Sequence, residues 1–183
     1  MNIGCDLDGV IIDHCKNQRR LLKKRGFDMP LARISKEVIK RLLGPEEYRV
    51  FQQELYGEIS REAEEVDGAK KGLEALISYG HEIRIISCRS ENRNFALGWL
   101  RVHGFYALFK ETRIHFVDAD EKKEEICKMF SIKLHIDDSP KVLGGLYTPV
   151  YKILLSKTSS FCPVATHIVR NWPDLVLLVQ KIT

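Results

Sequence analysis

The sequence predicts an α/β protein built on a parallel sheet with helices on both faces. Two observations predict this fold class. An apolar segment at residues 3–5 runs into two aspartates and a glycine, Asp6, Asp8 and Gly9, as expected for a buried strand with polar groups at its carboxyl end. From residue 66 onward, apolar segments of strand length alternate with helical patterns, which is typical of βαβ units.

Length and composition limit the class of protein. With 183 residues, 44% of them hydrophobic and 30% charged, we expect one globular domain, with or without a modest insertion. The net charge of +4 suits an anionic small molecule and is too small to indicate a nucleic acid by itself. Five cysteines without a CxxC pair predict free thiols in a reducing cytoplasm. We expect no signal peptide and no membrane partner, since a strand pattern opens the chain and no apolar stretch is long enough to span a bilayer.

Residues 14–65, which follow the first strand, are predicted to be helical and to contain no strand. A basic helix is expected over residues 16–25; its charged face is either solvated or turned toward a substrate anion. A second helix is expected after Ser35, which is a suitable N-cap. It breaks at Gly44, and a third helix follows over residues 46–59.

The second part of the chain is predicted to contain four strands and four helices. Branched apolar residues mark the strands, and glycines end two of the helices. The predicted strands are residues 81–86, 113–117, 133–136 and 150–155, and the predicted helices are residues 67–79, 92–103, 120–130 and 171–180.

Polar side chains follow three of the predicted strands. The carboxyl ends of parallel strands lie at the same edge of a sheet, so these side chains should converge. Neighbouring carboxylates repel each other unless a cation or a shared proton lies between them, and oxygen ligands suit Mg²⁺. The side chains at these strand ends are Asp6 and Asp8, Ser87, and Asp137 and Asp138.

Taken alone, the Asp6-Leu7-Asp8 pattern is more often a turn after a strand than a metal site. A calcium-binding loop is excluded, because Gly9 is the fourth residue of the motif and that loop needs glycine at the sixth position. Lys123 lies on the helix before the strand at residues 133–136 and adds an ammonium group to the same edge. Carboxylates, a metal ion, a hydroxyl and an ammonium together are what phosphoryl transfer requires.

These residues resemble the four motifs of the haloacid dehalogenase (HAD) superfamily, in the same order and over almost the whole chain. Because it has an aspartate at the position of Asp8, the sequence resembles the phosphatase branch of the superfamily and not the dehalogenases. The resemblance implies a Rossmann-like three-layer core over residues 1–12 and 67–183 and a small helical cap inserted after the first strand, at residues 13–66. The matching motifs are Asp6-Leu7-Asp8-Gly9-Val10, Ser87, Lys123 and Ile136-Asp137-Asp138.

At a finer level, four stretches resemble the cytosolic 5′(3′)-deoxyribonucleotidase-type family. They are residues 66–69, residues 86–89, the segment from Lys123 through Ser139, and residues 171–173. Ser87 stands where threonine is common in that family, which keeps the hydroxyl group. The resemblance implies a Mg²⁺-dependent phosphomonoester hydrolase that acts on nucleoside monophosphates.

The same resemblance implies a role for each aspartate. Asp6 would attack phosphorus and form an aspartyl-phosphate, and Asp8 would protonate the leaving oxygen and later activate water. Mg²⁺ would be held by Asp6, the backbone carbonyl of Asp8 and Asp137, with Asp138 supporting it through a water molecule.

Three other residues are implied to bind the phosphate group, namely Ser87, Cys88 and Lys123. Lys122 is the neighbouring lysine, but the distance in sequence to the acidic fourth motif favours Lys123. Lys123 would also reduce the repulsion among the carboxylates.

Other functions stay open on the sequence alone. One is a phosphatase for a sugar phosphate or another small metabolite, and another is a catalytically idle binding domain of the HAD fold. A nucleic-acid polymer is not expected as a partner, since only the charge of residues 16–25 would support it. The oligomeric state, a homodimer among the options, is also left open.

Overall fold

The computed structural model describes residues 1–109 and 111–183. Within these ranges the main sheet has six strands, all parallel, in the order β5-β4-β1-β6-β7-β8, and β2 and β3 form a separate pair. The parallel α/β fold predicted from the sequence is therefore confirmed. In chain order the strands are β1 (Asn2–Cys5), β2 (Ile12–Asp13), β3 (Glu64–Glu65), β4 (Glu82–Cys88), β5 (Ile114–Val117), β6 (Leu134–Asp137), β7 (Tyr151–Leu155) and β8 (His167–Val169).

Helices cover both faces of the main sheet. Successive strand residues point to opposite faces, so Ile85 packs with α3, α4 and α8 on one side and Ile86 packs with α6 and α7 on the other. Two apolar layers result, which makes the core three-layered. The helices are α1 (Cys15–Lys24), α2 (Lys36–Tyr56), α3 (Ala69–Ser78), α4 (Arg93–Val102), α5 (Tyr106–Phe109), α6 (Lys123–Met129), α7 (Pro140–Gly145) and α8 (Trp172–Ile182).

The segment between β2 and β3 is helical and has an apolar cluster of its own. Gly44 has φ 71° and interrupts α2, so the break predicted at this residue is present. The Arg25 guanidinium holds α1 against the second half of α2 by bonds of 2.6 Å to Glu47 and 2.9 Å to Glu54. The buried residues of the cluster are Leu21, Leu22, Ile39, Phe51 and Leu55.

The prediction that residues 14–65 contain no strand is wrong at one end. Glu64 and Glu65 pair antiparallel with Asp13 and Ile12, so the two chain segments that lead into and out of the helical segment run side by side. Glutamate has a low β propensity, and this strand exists because its partner lies opposite to it in the tertiary structure. The strand β8 and the short helices α5 and α7 are also additions to the predicted elements.

No helix in the part of the chain that the structure describes is long and apolar enough to cross a membrane. All five cysteines are free thiols, as predicted.

Trp172 fixes α8 to the rest of the core. Its ring is fully buried, and its Nε1 atom donates a 2.9 Å hydrogen bond to the carbonyl of Val10, in the loop that follows β1. The ring lies directly over Gly72 of α3, where a Cβ atom would collide with it. Gly72 is therefore the residue that lets α3 approach α8 closely.

We expect the Gly72→Ala variant to lose about 1–3 kcal/mol in free energy of unfolding, because the added methyl group overpacks the contact with Trp172. Gly98→Ala is the matched control. Gly98 also lies inside a helix, and a Cβ there meets no described atom within 4 Å. The control should gain about 0.5–1 kcal/mol from helix propensity. Urea unfolding of both variants measures the difference, and an equal effect of the two substitutions would contradict the packing argument.

Candidate active site

The carboxyl ends of β1 and β6, which carry Asp6 and Asp137, meet at the same edge of the sheet. Cys5, the last residue of β1, is aligned with Ile136 of β6, so Asp6 and Asp137 lie at the same level on neighbouring strands. The Asp6 backbone N–H extends this pairing by donating a 2.9 Å hydrogen bond to the Ile136 carbonyl. Two carboxylates are thereby brought into a buried environment, where each needs a compensating charge.

Lys123 supplies that charge. It is the first residue of α6, and only 1% of its side chain is exposed. Its Nζ atom lies 3.0 Å from Asp6 Oδ1 and donates a 2.9 Å hydrogen bond to Asp137 Oδ2. The Ser139 backbone N–H donates to Asp137 Oδ1 at 2.9 Å, and His135 Nε2 lies 3.3 Å from Oδ2. Asp137 is thus held on both oxygens.

The compensation is incomplete at Asp6. Burial, together with the charges of Asp137 and Asp8, raises the pKa of Asp6 to about 7 against the opposing effect of Lys123. Among the described residues, no group donates a well-directed hydrogen bond to Asp6 Oδ1. For Asp137, burial also opposes ionisation, but Lys123 and His135 outweigh it and hold the pKa near 2. Burial lowers the pKa of Lys123, but the carboxylates of Asp137 and Asp6 raise it by more. The net pKa is therefore raised, and Lys123 stays an ammonium.

Asp138 completes an acidic group with Asp6 and Asp137. One oxygen from each of these carboxylates lies within 4.8 Å of the other two. The Asp138 carboxylate occupies the space beside Gly9, where a Cβ atom would collide with it, and Gly9 has φ 85°. Glycine at this position is therefore required by both the backbone conformation and the close approach of Asp138.

Ser87 and Cys88, at the end of β4, differ in what they offer. Ser87 is 1% exposed, and its Oγ atom has no hydrogen-bond partner within the described ranges. A buried hydroxyl without a partner is costly unless a ligand completes it. The Cys88 thiol instead lies close enough to Asp120 to be affected by its charge; burial, followed by the charge of Asp120, raises the pKa of the thiol to about 11. Ser87 is the side chain of this pair that is free to bind phosphate.

The Asp8 carboxylate is not part of the acidic group and is held by two residues that the sequence analysis missed. Arg89 donates from Nε to Oδ2 at 2.8 Å and from Nη2 to Oδ1 at 2.5 Å. His14 Nε2 lies 2.7 Å from Oδ1. Burial alone would raise the pKa of Asp8, but Arg89 and His14 outweigh it and hold the pKa well below its usual range. The one available signal was the position of Arg89 directly after the Ser87-Cys88 motif.

The basic helix α1 has its charges paired at the surface. Lys16 bonds Glu64 at 2.6 Å and Arg20 bonds Glu62 at 2.7 Å, and all four side chains are about half or more exposed. Pairs of this kind contribute little to stability. These side chains of the basic helix are therefore solvated.

The fold is similar to that of solved structures described as HAD-superfamily hydrolases and phosphatases. Three solved structures are similar over 95–98% of their own lengths and 98% of this chain. A protein described as a predicted phosphatase from Clostridium acetobutylicum has a TM-score of 0.69 at 18% identity. The HAD-hydrolase YfnB from Bacillus subtilis, bound to magnesium, has a TM-score of 0.66 at 15% identity. A HAD family hydrolase from Deinococcus radiodurans, with bound phosphate and sodium, has a TM-score of 0.64 at 17% identity.

The particular family follows from the sequence. Residues 1–182 match the pattern of the family described as 5′ nucleotidase, deoxy (pyrimidine), cytosolic type C protein. The chain therefore belongs to this family, and the protein is an enzyme of the phosphatase type. A search of the curated proteins finds no match.

Replacement of Lys123 by methionine should destabilise the protein by about 3–5 kcal/mol, because the carboxylates of Asp6 and Asp137 would stay buried without their counter-charge. Lys122→Met is the control, since Lys122 is exposed and its ion pair among the described residues is with Asp118 at the surface. In urea unfolding, the control should have the same midpoint concentration as the parent. Equal midpoints for both variants would show that the buried ion pair does not stabilise the fold.

Proposed function

We propose that the protein is a Mg²⁺-dependent phosphomonoester hydrolase that acts on nucleoside monophosphates through an aspartyl-phosphate. The observation that carries the proposal is the buried carboxylate of Asp6. One of its oxygens lacks a hydrogen bond from the described residues, and Lys123 lies beside it. The hydroxyl of Ser87, which has no partner among the described residues, lies near the end of the neighbouring strand β4. A nucleophile, a positive charge and a free donor are the requirements of phosphoryl transfer.

The acidic group fits Mg²⁺. This ion prefers oxygen ligands, and Asp6, Asp137 and Asp138 offer oxygens within 4.8 Å of one another. The pKa of Asp6 is raised to about 7 because the charge of Lys123 does not fully offset the effect of burial and of the neighbouring carboxylates, and a bound cation would stabilise the ionised form. The ion would be held by Asp6, the backbone carbonyl of Asp8 and Asp137, with Asp138 supporting it through a water molecule. When bound, Mg²⁺ would neutralise charge on the phosphate and on the carboxylates.

The reaction would proceed in two steps. A carboxylate oxygen of Asp6 attacks phosphorus, and the bond from phosphorus to the ester oxygen breaks as Asp8 gives that oxygen a proton. For this step Asp8 must first take up a proton from solvent, because Arg89 and His14 favour its ionised form in the free protein. Asp8 then takes a proton from a water molecule whose oxygen attacks the same phosphorus, and the bond to Asp6 breaks. The products are the alcohol and inorganic phosphate, and both aspartates return to their starting states. Ser87 and Lys123 would hold the phosphate oxygens throughout.

The family to which the chain belongs supports nucleoside monophosphates as the substrate class, since its description names a 5′ nucleotidase. Residues 13–66 would act as a cap over the acidic edge, and residues 1–12 and 67–183 would form the catalytic core. The separate apolar cluster of the helical segment and the β2–β3 pair at its base support this division. The five free thiols support a cytoplasmic location.

Titration with Mg²⁺ should reveal one divalent site in the parent, and Asp137→Ala should lose it, because the clustered carboxylates supply the ligands. Asp118→Ala is the matched control, since Asp118 is exposed and pairs with Lys122. Calorimetry measures both affinities. Undiminished Mg²⁺ binding by the Asp137 variant would refute this assignment.

Asp6→Asn and Asp8→Asn should both keep the fold and lose turnover. Asp6→Asn removes the nucleophile, so almost no hydrolysis should remain. Asp8→Asn keeps the backbone carbonyl and removes the acid–base group, which should lower kcat by about 10²- to 10⁴-fold. Phosphate release with Mg²⁺ is measured for nucleoside monophosphates and sugar phosphates in parallel.

Each outcome of that panel selects a function. Turnover of nucleotides above sugar phosphates supports the proposal, and the reverse order favours a phosphatase for sugar phosphates. If the parent hydrolyses none of them, an idle binding domain is the better interpretation. Near-parental hydrolysis by Asp6→Asn would show that Asp6 is not the nucleophile.

A further inference from the structure

Arg89 binds the Asp8 carboxylate through two hydrogen bonds, and the reaction described above gives Arg89 no role. The Arg89 side chain is 1% exposed and binds both carboxylate oxygens, one through Nε and the other through Nη2. His14 adds a third contact, 2.7 Å from Oδ1. We call Asp8, Arg89 and His14 together the Asp8 clamp. A guanidinium that binds a carboxylate through two parallel bonds restrains its rotation, which a single contact does not.

The Asp8 clamp joins the sheet to the helical segment. Arg89 follows β4, whereas His14 is the N-cap residue of α1. The Arg89 guanidinium also lies 4.7 Å from the ring centroid of Tyr56, the last residue of α2, and the His14 ring meets the same tyrosine edge-on at 5.4 Å. The tyrosine ring therefore supports both residues that hold Asp8.

The number of hydrogen bonds to the Asp8 carboxylate shows which of its acceptor positions stay free. An ionised carboxylate offers about four acceptor positions. Two on Oδ1 are taken by Arg89 and His14, and one on Oδ2 is taken by Arg89. One position remains, on Oδ2. The orientation of the guanidinium therefore decides where Asp8 can exchange a proton.

We propose that Arg89 is a positioning residue, which directs the free position of Asp8 Oδ2 toward the water or leaving group at phosphorus. This role rests on the proposed function, because it matters only if Asp8 transfers protons. Arg89 touches no reacting atom in this scheme, so its effect on the reaction passes entirely through Asp8.

The proposal is tested by a double-mutant cycle on hydrolysis of a nucleoside monophosphate with Mg²⁺. In the parent background, Arg89→Gln should lower kcat by about 10- to 100-fold, as expected for a misplaced catalytic group, with KM nearly unchanged. In the Asp8→Asn background the same substitution should cause no further loss, because no proton-transfer group remains to be positioned. Single-turnover reactions with excess enzyme keep the slow background measurable.

Two further variants separate positioning from charge and from folding. Arg89→Lys keeps the positive charge and lacks the planar fork, so it should stay close to Arg89→Gln. Arg84→Gln removes another arginine that binds a carboxylate with a 13% exposed side chain, Glu82 being its partner, and should leave kcat at the parental value. Thermal unfolding of every variant identifies any loss of folded protein.

Three results would overturn the positioning role. One is the same fold loss from Arg89→Gln in both backgrounds, which would mean that Arg89 acts independently of Asp8. Another is a rise in KM at constant kcat, which would make Arg89 a substrate-binding residue. The third is parental kcat in Arg89→Lys, which would mean that charge alone suffices. A parent without turnover refutes the proposed function and the positioning role together, whereas a turning-over parent with any of these three results refutes the positioning role alone.

Discussion

A buried ammonium group between two carboxylates is the interaction on which the site depends. Parallel pairing of β1 with β6 places Asp6 and Asp137 side by side at the edge of the sheet, away from water. Such a pair is stable only with a counter-charge, and Lys123 at the start of α6 provides it. One positive charge cannot fully compensate two negative ones, as the raised pKa of Asp6 indicates. The contact that stabilises the sheet edge therefore also leaves a carboxylate suited to a cation.

The sequence predicts those elements whose own residues determine them. Buried parallel strands such as β4 and β6 consist largely of branched apolar residues, and the helices between them show regular apolar spacing, so both could be identified. The strand at Glu64–Glu65 could not, because nothing in two glutamates favours extended structure. Its formation depends on Ile12 and Asp13 lying opposite, which is a property of the whole fold.

The same distinction applies to the candidate site. The topology of a parallel sheet brings strand ends together, so the proximity of Asp6 to Asp137 could be expected from the order of the strands. Arg89 and His14 lie 75 residues apart, and they meet only because the helical segment returns to the sheet at this point. The thiol of Cys88 likewise lies near Asp120, which no spacing in the sequence indicates.

Asp6 and Asp8 are two residues apart, yet different parts of the fold control them. Asp6 contacts Lys123, a residue of the core, and its backbone belongs to the sheet ladder. Asp8 is held by Arg89 from the core and by His14 from the start of the helical segment, with Tyr56 supporting both. A change in the position of the helical segment would consequently move the carboxylate of Asp8 and leave that of Asp6 in place. Asp6, the proposed nucleophile, is thus fixed by the sheet, whereas Asp8, the proposed proton-transfer group, depends on both the sheet and the helical segment.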